Sequence, residues 1–142
     1  MCLARPHKPF FDAILLINLK AGVGLYNVAM QELPVINRTQ ELYEDVSKIT
    51  EKLPALHRQT IGKRLENSIL SLLELLIMAK HAPTAHKGPY LIKASAQAEI
   101  IQFQLRILLN RKLANETTLH QLQAKILEIG RMLGGWRKSV QQ

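Results

Sequence analysis

The stretch "LHQLQAKILEIGRMLGGWRKSV", residues 119–140, constrains this chain more than any other. Leu119, Leu122, Ile126, Ile129, Leu133, Trp136 and Val140 recur at steps of three and four without a slip. That is the 3.5-residue spacing of coiled-coil packing, held over three heptads. A rod with one apolar seam is stable in water only when other elements cover the seam. The rest of the chain must therefore supply partners of similar length.

Three more segments fit that requirement. The first carries Val35, Leu42, Val46, Ile49 and Leu53 on one stripe and stops at "KLPAL", where Pro54 breaks the hydrogen-bond ladder. The second, about 56–80, sets Ile61, Leu65, Ile69, Leu72, Leu73 and Leu76 on one face, with Leu70, Leu75 and Ile77 elsewhere on its circumference. A helix apolar on several sides implies a central position or a subunit interface. The third, about 91–113, steps through Leu91, Ala94, Ala98, Ile101, Leu105 and Leu108, widened by Ile100, Phe103, Ile107 and Leu109. "HAPTAHKGPY", 81–90, reads as a loop. After "ANETT", Thr118 with Gln121 can form a capping box for the fourth segment. No strand pattern is comparably strong. Short connections make neighbours antiparallel, so the expected fold is all-α, an up-down antiparallel four-helix bundle over residues 30–142.

Three glycines interrupt the fourth segment, and each costs a helix interior about 1 kcal/mol relative to alanine. Gly130 and Gly134 lie four apart, on one face beside the Trp136 seam. A strip without side chains lets another backbone approach closely, and Trp136 would fill the adjacent seam. The alternative is that Gly134 and Gly135 only fray or kink the last turn.

Residues 1–29 differ in character. They hold Pro6, Pro9, Gly22 and Gly24 around an apolar centre. A secretory signal ending near Ala29 is one reading, but Asp12 and Lys20 interrupt the apolar run. The uninterrupted stretch 13–19 is far too short to span a bilayer. The preferred reading is an N-terminal extension, with Met30 as the native start. The single cysteine, Cys2, precludes an internal disulfide and fits a reducing, cytoplasmic setting.

The formal net charge is +8, unevenly distributed. Residues 30–53 carry −2, residues 54–115 carry +6 and residues 116–142 carry +2. A patch of that sign points to a polyanion, although solubility alone would also account for it. Arg58, Lys63 and Arg64 cluster at the start of the second helix, Arg111 and Lys112 close the third, and Arg137 and Lys138 close the fourth. Cations at a helix C-terminus offset the macrodipole by roughly 0.3–1 kcal/mol, which accounts for the last four without any ligand. Lys63 and Arg64, near a positive N-terminal end, gain nothing that way and favour an anion partner. Arg106 is the only base on the polar stripe of the third helix. It suits an ion pair with Glu66 or Glu74, or a phosphate contact. Phe103 and Trp136 lie on apolar stripes, so bound nucleic acid is expected through its phosphates rather than by stacking.

Catalytic and metal chemistry are poorly supported. The histidines lie mostly in or beside loops, and His81 and His86 have no cysteine or carboxylate nearby. No Glu-x-x-His pair of the di-iron bundles occurs, and no glycine-rich phosphate loop. No cofactor is expected.

Three stretches, "GKRLENSILSLLELLIMA" (62–79), "PYLIKAS" (89–95) and "EIGRMLGGWRKS" (128–139), carry a resemblance. They resemble the four-helix-bundle family of ribosomal-RNA intervening-sequence proteins, which includes Avd, the accessory protein of diversity-generating retroelements. The resemblance covers about 31–140, and Arg106 matches an arginine of that family. It implies helical protomers assembled in a five-fold barrel and no catalytic residue. For the Avd branch it implies a basic nucleic-acid-binding surface and a reverse-transcriptase partner. "GRMLGGWRKS" is typical of the broad family, and both branches stay open. Two functions follow: a non-enzymatic, oligomeric RNA- or DNA-binding bundle, or a structural, protein-interaction oligomer with no nucleic-acid role.

Overall fold

The computed structural model describes residues 33–142. The expectations for residues 1–29, for Cys2 and for a start at Met30 lie outside the described residues. Four helices carry the fold: α1 (Pro34–Thr50), α2 (Lys63–His81), α3 (Lys87–Asn110) and α4 (Glu116–Val140). A single α turn, Ala55–His57, and a π turn, Arg58–Gly62, lead into α2, and a 3-10 turn, Thr84–His86, leads into α3. There is no strand among the described residues.

Cross-links define the order of the helices. Gln97 of α3 donates to the Ser68 carbonyl of α2 at 3.2 Å. The Thr50 hydroxyl at the end of α1 meets the Glu66 carboxylate near the start of α2. Lys125 of α4 pairs with Asp45 of α1, and Arg38 approaches Glu128 at 3.5 Å. On α1 the pairing runs down the chain as it runs up α4, so the two are antiparallel. Backbone contact is most extensive between α2 and α3 and between α3 and α4.

The apolar stripes meet in one core. The seam of α4 is buried from Leu119 to Leu133, and Trp136 and Val140 pack half-buried against it. Every residue expected on the principal stripe of α3 is fully or nearly fully buried. None of the residues expected to widen that stripe is: Ile107 and Leu109 are half-buried, and Ile100 and Phe103 are exposed, Phe103 at 61%. The third helix is apolar on more than one side, and the bundle covers only the side facing α2 and α4. Polar residues fill some core positions instead. Thr39 and Ser68 return their hydroxyls to carbonyls one turn back, Val35 O at 2.7 Å and Arg64 O at 2.9 Å. Gln104 is 5% exposed, and its side-chain oxygen has no hydrogen-bond partner among the described residues.

The corners correct several local expectations. The α4 N-cap is Asn115, which accepts from the Thr118 amide at 3.1 Å, so the Thr118–Gln121 capping box does not form. The helix begins three residues earlier than that box would require, and the Thr118 hydroxyl donates back to Asn115 Oδ1 at 3.2 Å instead. α3 starts at Lys87 and absorbs Gly88 and Pro89, because proline is tolerated in a first turn, where its missing N–H has no partner to lose. α3 ends in a left-handed residue, Lys112, with φ 53°. Leu113 N–H donates to Leu108 O and Lys112 N–H to Leu109 O, both at 3.0 Å, the paired bonds of a Schellman cap.

Within the protomer the glycine strip of α4 is not the place of close approach. A Cβ placed on Gly130, Gly134 or Gly135 would meet nothing within 4 Å, so no neighbour in the bundle approaches that strip. The close approach occurs at Gly62. There a Cβ would stand 3.3 Å from Leu53 Cδ1 and 3.4 Å from both His57 O and Thr50 Cβ. The turn from α1 into α2 folds back onto this glycine, and the π turn ends on it.

Candidate nucleic-acid interface

Between α2 and α3, near the π turn, runs an open groove of about 690 Å³. Lys63 and Arg64 from α2 and Arg111 from the cap of α3 line it. Asn67, Ser71 and Gln97 add uncharged hydrogen-bonding groups, and His57 lies at its rim. No carboxylate lines it. Lys63, Arg64 and Arg111 are exposed, and none is in an ion pair among the described residues. Residues far apart in sequence thus share one cationic groove, because α2 and α3 are antiparallel and place the start of one beside the end of the other.

The helix dipole bears on Lys63 and Arg64 less than their place at the start of α2 implies. Helical backbone begins at Ala55 and continues through the π turn, so Lys63 lies about two turns inside it. The dipole effect fades within the first turn, and Lys63 and Arg64 bear little penalty from it. Their significance rests on the groove. π turns are rare, and many mark functional sites. This one supplies three of the groove's lining residues, Gln59, Thr60 and Ile61.

The other candidate cations separate. Arg58 turns away from the groove: its guanidinium donates to Leu53 O at 3.1 Å and ties the corner together. Lys112 sits beside Arg111 but is exposed in the left-handed cap. Arg106 pairs with neither Glu66 nor Glu74. It faces α4, exposed, in a small hollow with Gln102, Gln123 and Leu127, while Glu66 is engaged by Thr50. Arg137 and Lys138 lie at the opposite end of the bundle. There Lys87 Nζ stands 5.9 Å from the centre of the Trp136 ring, a cation–π contact. Sequence reasoning missed Lys87, having placed it in a loop, and missed His57 and Gln97. Only the pairing of α2 with α3 brings the latter two to the groove.

Carboxylates are engaged elsewhere. Asp45 accepts from Lys125 and, at 3.2 Å, from Lys48. The Lys125 ammonium holds its carboxyl below the ordinary range against the opposing effect of burial, and Lys48 adds a smaller lowering. Arg38 bonds Glu41 at 2.9 Å, and Glu41 with Glu128 raises its pKa further. These clusters lie along α1 and α4 and leave the groove face cationic. No group of three potential metal ligands occurs among the described residues, and none of their helices is long and apolar enough to cross a membrane.

A family model described as bAvd-like matches residues 34–140. The chain belongs to the bAvd-like family. The match spans all four helices of the bundle and the groove between α2 and α3. A comparison with curated proteins finds no similar sequence. The bAvd-like family is not a known enzyme class.

Proposed function

We propose that this bAvd-like chain is a non-enzymatic, cytoplasmic accessory protein that binds RNA or DNA through phosphate contacts and assists a retroelement reverse transcriptase. One observation carries the nucleic-acid reading: Lys63, Arg64 and Arg111 converge on a groove that no carboxylate lines. Lysine and arginine there neutralise phosphates, and the amides and hydroxyls alongside supply secondary hydrogen bonds. The groove offers no aromatic platform, which favours backbone contacts over stacking. The reverse-transcriptase partner rests on the family.

The protein acts as a homo-oligomer in this reading. Ile92, Ile100 and Phe103 stand exposed on α3 and Leu127 on α4. Apolar surface of that kind marks an interaction face. A five-fold ring is the assembly the resemblance implies. That same surface also supports a second reading, a structural oligomer whose charge serves only solubility.

Binding to RNA and to DNA at two salt concentrations separates the readings. The expected result is a steep salt dependence, with Lys63→Glu/Arg64→Glu weakening binding and lowering the slope of log K against log salt by about 2. Binding that is unchanged in that variant, or flat across salt, would falsify the groove assignment. Light scattering on the same samples reads the subunit number.

A further inference from the structure

The bundle is cationic at both ends, and the two ends are built separately. Antiparallel packing gathers the end of α2, the start of α3 and the end of α4 at the pole opposite the groove. That pole carries Lys80, Lys87, Arg137 and Lys138 within about a turn of the helix ends, with Lys93 and Arg131 further in. No acidic residue occurs in 75–98 or 129–142. None of the six bases is in an ion pair among the described residues. The macrodipole accounts for Lys80, Arg137 and Lys138, which sit at C-terminal ends. It does not account for Lys87, the first residue of α3, where a positive helix end repels it. Lys87 is held there against Trp136 and by the Lys80 carbonyl at 3.4 Å.

The helix joining the poles, α3, has 24 residues and is about 36 Å long. The surface between them is unsuited to a phosphate chain. Glu74 on α2 and Glu99 on α3 are exposed there, and so are Ile92, Ile100 and Phe103. A single backbone laid from pole to pole would cross like charge and apolar surface.

We propose that the two poles hold two different nucleic-acid segments, so that the protein bridges strands or arms rather than coating one. The inference rests on the nucleic-acid reading above and adds a second, independent contact surface. Assembly into an oligomer multiplies the poles without creating them.

A bead assay tests it with the full chain. One RNA hairpin is immobilised, and a second, non-complementary hairpin carries a fluorophore. The wild-type protein retains the labelled hairpin on the beads. Arg137→Glu/Lys138→Glu still binds one hairpin by anisotropy but loses retention, and so does the milder Lys80→Gln/Lys87→Gln. Helix content and oligomer size, read by circular dichroism and light scattering, stay at wild-type values. Retention that is unchanged in both variants overturns the inference, because bridging then comes from the oligomer or the groove alone. Wild-type protein that binds one hairpin but never retains a second overturns it too, while the groove assignment survives. Wild-type protein that binds neither hairpin removes the nucleic-acid reading and the bridging together.

Discussion

The two poles of the bundle carry the same sign of charge on different foundations. At the groove pole the backbone is specialised: a π turn, a glycine pressed against Leu53 and a left-handed Lys112 frame Lys63, Arg64 and Arg111. At the other pole the helices are regular, and half of the bases sit where helix ends favour them. A cation at a C-terminus stabilises its own helix and says little about ligands. A cation that gains nothing from its helix end is more diagnostic, and both poles carry such cations: Lys63 and Arg64, interior to their helical run, and Lys87, at an N-terminus. The glycines divide in the same way. Gly62 is closely approached by Leu53, Thr50 and the His57 carbonyl, whereas Gly130 and Gly134 face open space within the protomer.

Substitutions at the two poles should therefore behave differently. The largest stability effect is expected at Gly62→Val, whose branched side chain meets Leu53, Thr50 and the His57 carbonyl, a loss of about 2 kcal/mol by overpacking. Urea unfolding reads it, and wild-type stability would show that the α1–α2 corner yields freely. Lys112→Gly relieves the left-handed backbone and is expected to gain about 1 kcal/mol by the same measurement. If that variant also binds RNA more weakly, the strain holds a working cation in place. Gly134→Ala removes a helix-interior glycine with no clash and should add roughly 0.5–1 kcal/mol to the protomer. A stable protomer that no longer assembles would put the glycine strip at a subunit contact, against which it has no neighbour within its own bundle.

The smallest effect belongs between the poles, at Asp45. Its carboxyl is held below the ordinary value by Lys125 and Lys48, so the folded state binds its proton less readily than the unfolded chain does. The stabilisation is present above the ordinary carboxylate pKa of about 4 and is lost as pH falls through the lower folded value. Both partners are about a third exposed, and the pair contributes well under about 1 kcal/mol. Wild type should exceed Asp45→Asn by that small margin at neutral pH and match it in acid. A margin that grows on acidification contradicts the assigned direction.

The helices were legible because burial is periodic. The stripe of α4 needs no knowledge of its neighbours, and neither do the stops at Pro54 and before Asn115. The turn chemistry was less legible. A π turn, a proline absorbed into a first turn and a lysine in a left-handed cap all run against local preference, and packing between helices decides each. At the candidate site the residue types could be read but not their grouping. Arg58 and Arg64 look alike in sequence, yet one ties a corner and the other lines a groove. Gln97 and His57 carried no local signal at all.

By itself the sequence determined that the chain makes amphipathic rods, where most of them end and that its second half is positive, since periodicity and charge are properties of single segments. Tertiary structure alone decided which cations share a surface, which glycine is pressed and which apolar residues are left uncovered. Those outcomes depend on what stands across from each residue, and the facing partner comes from a different helix.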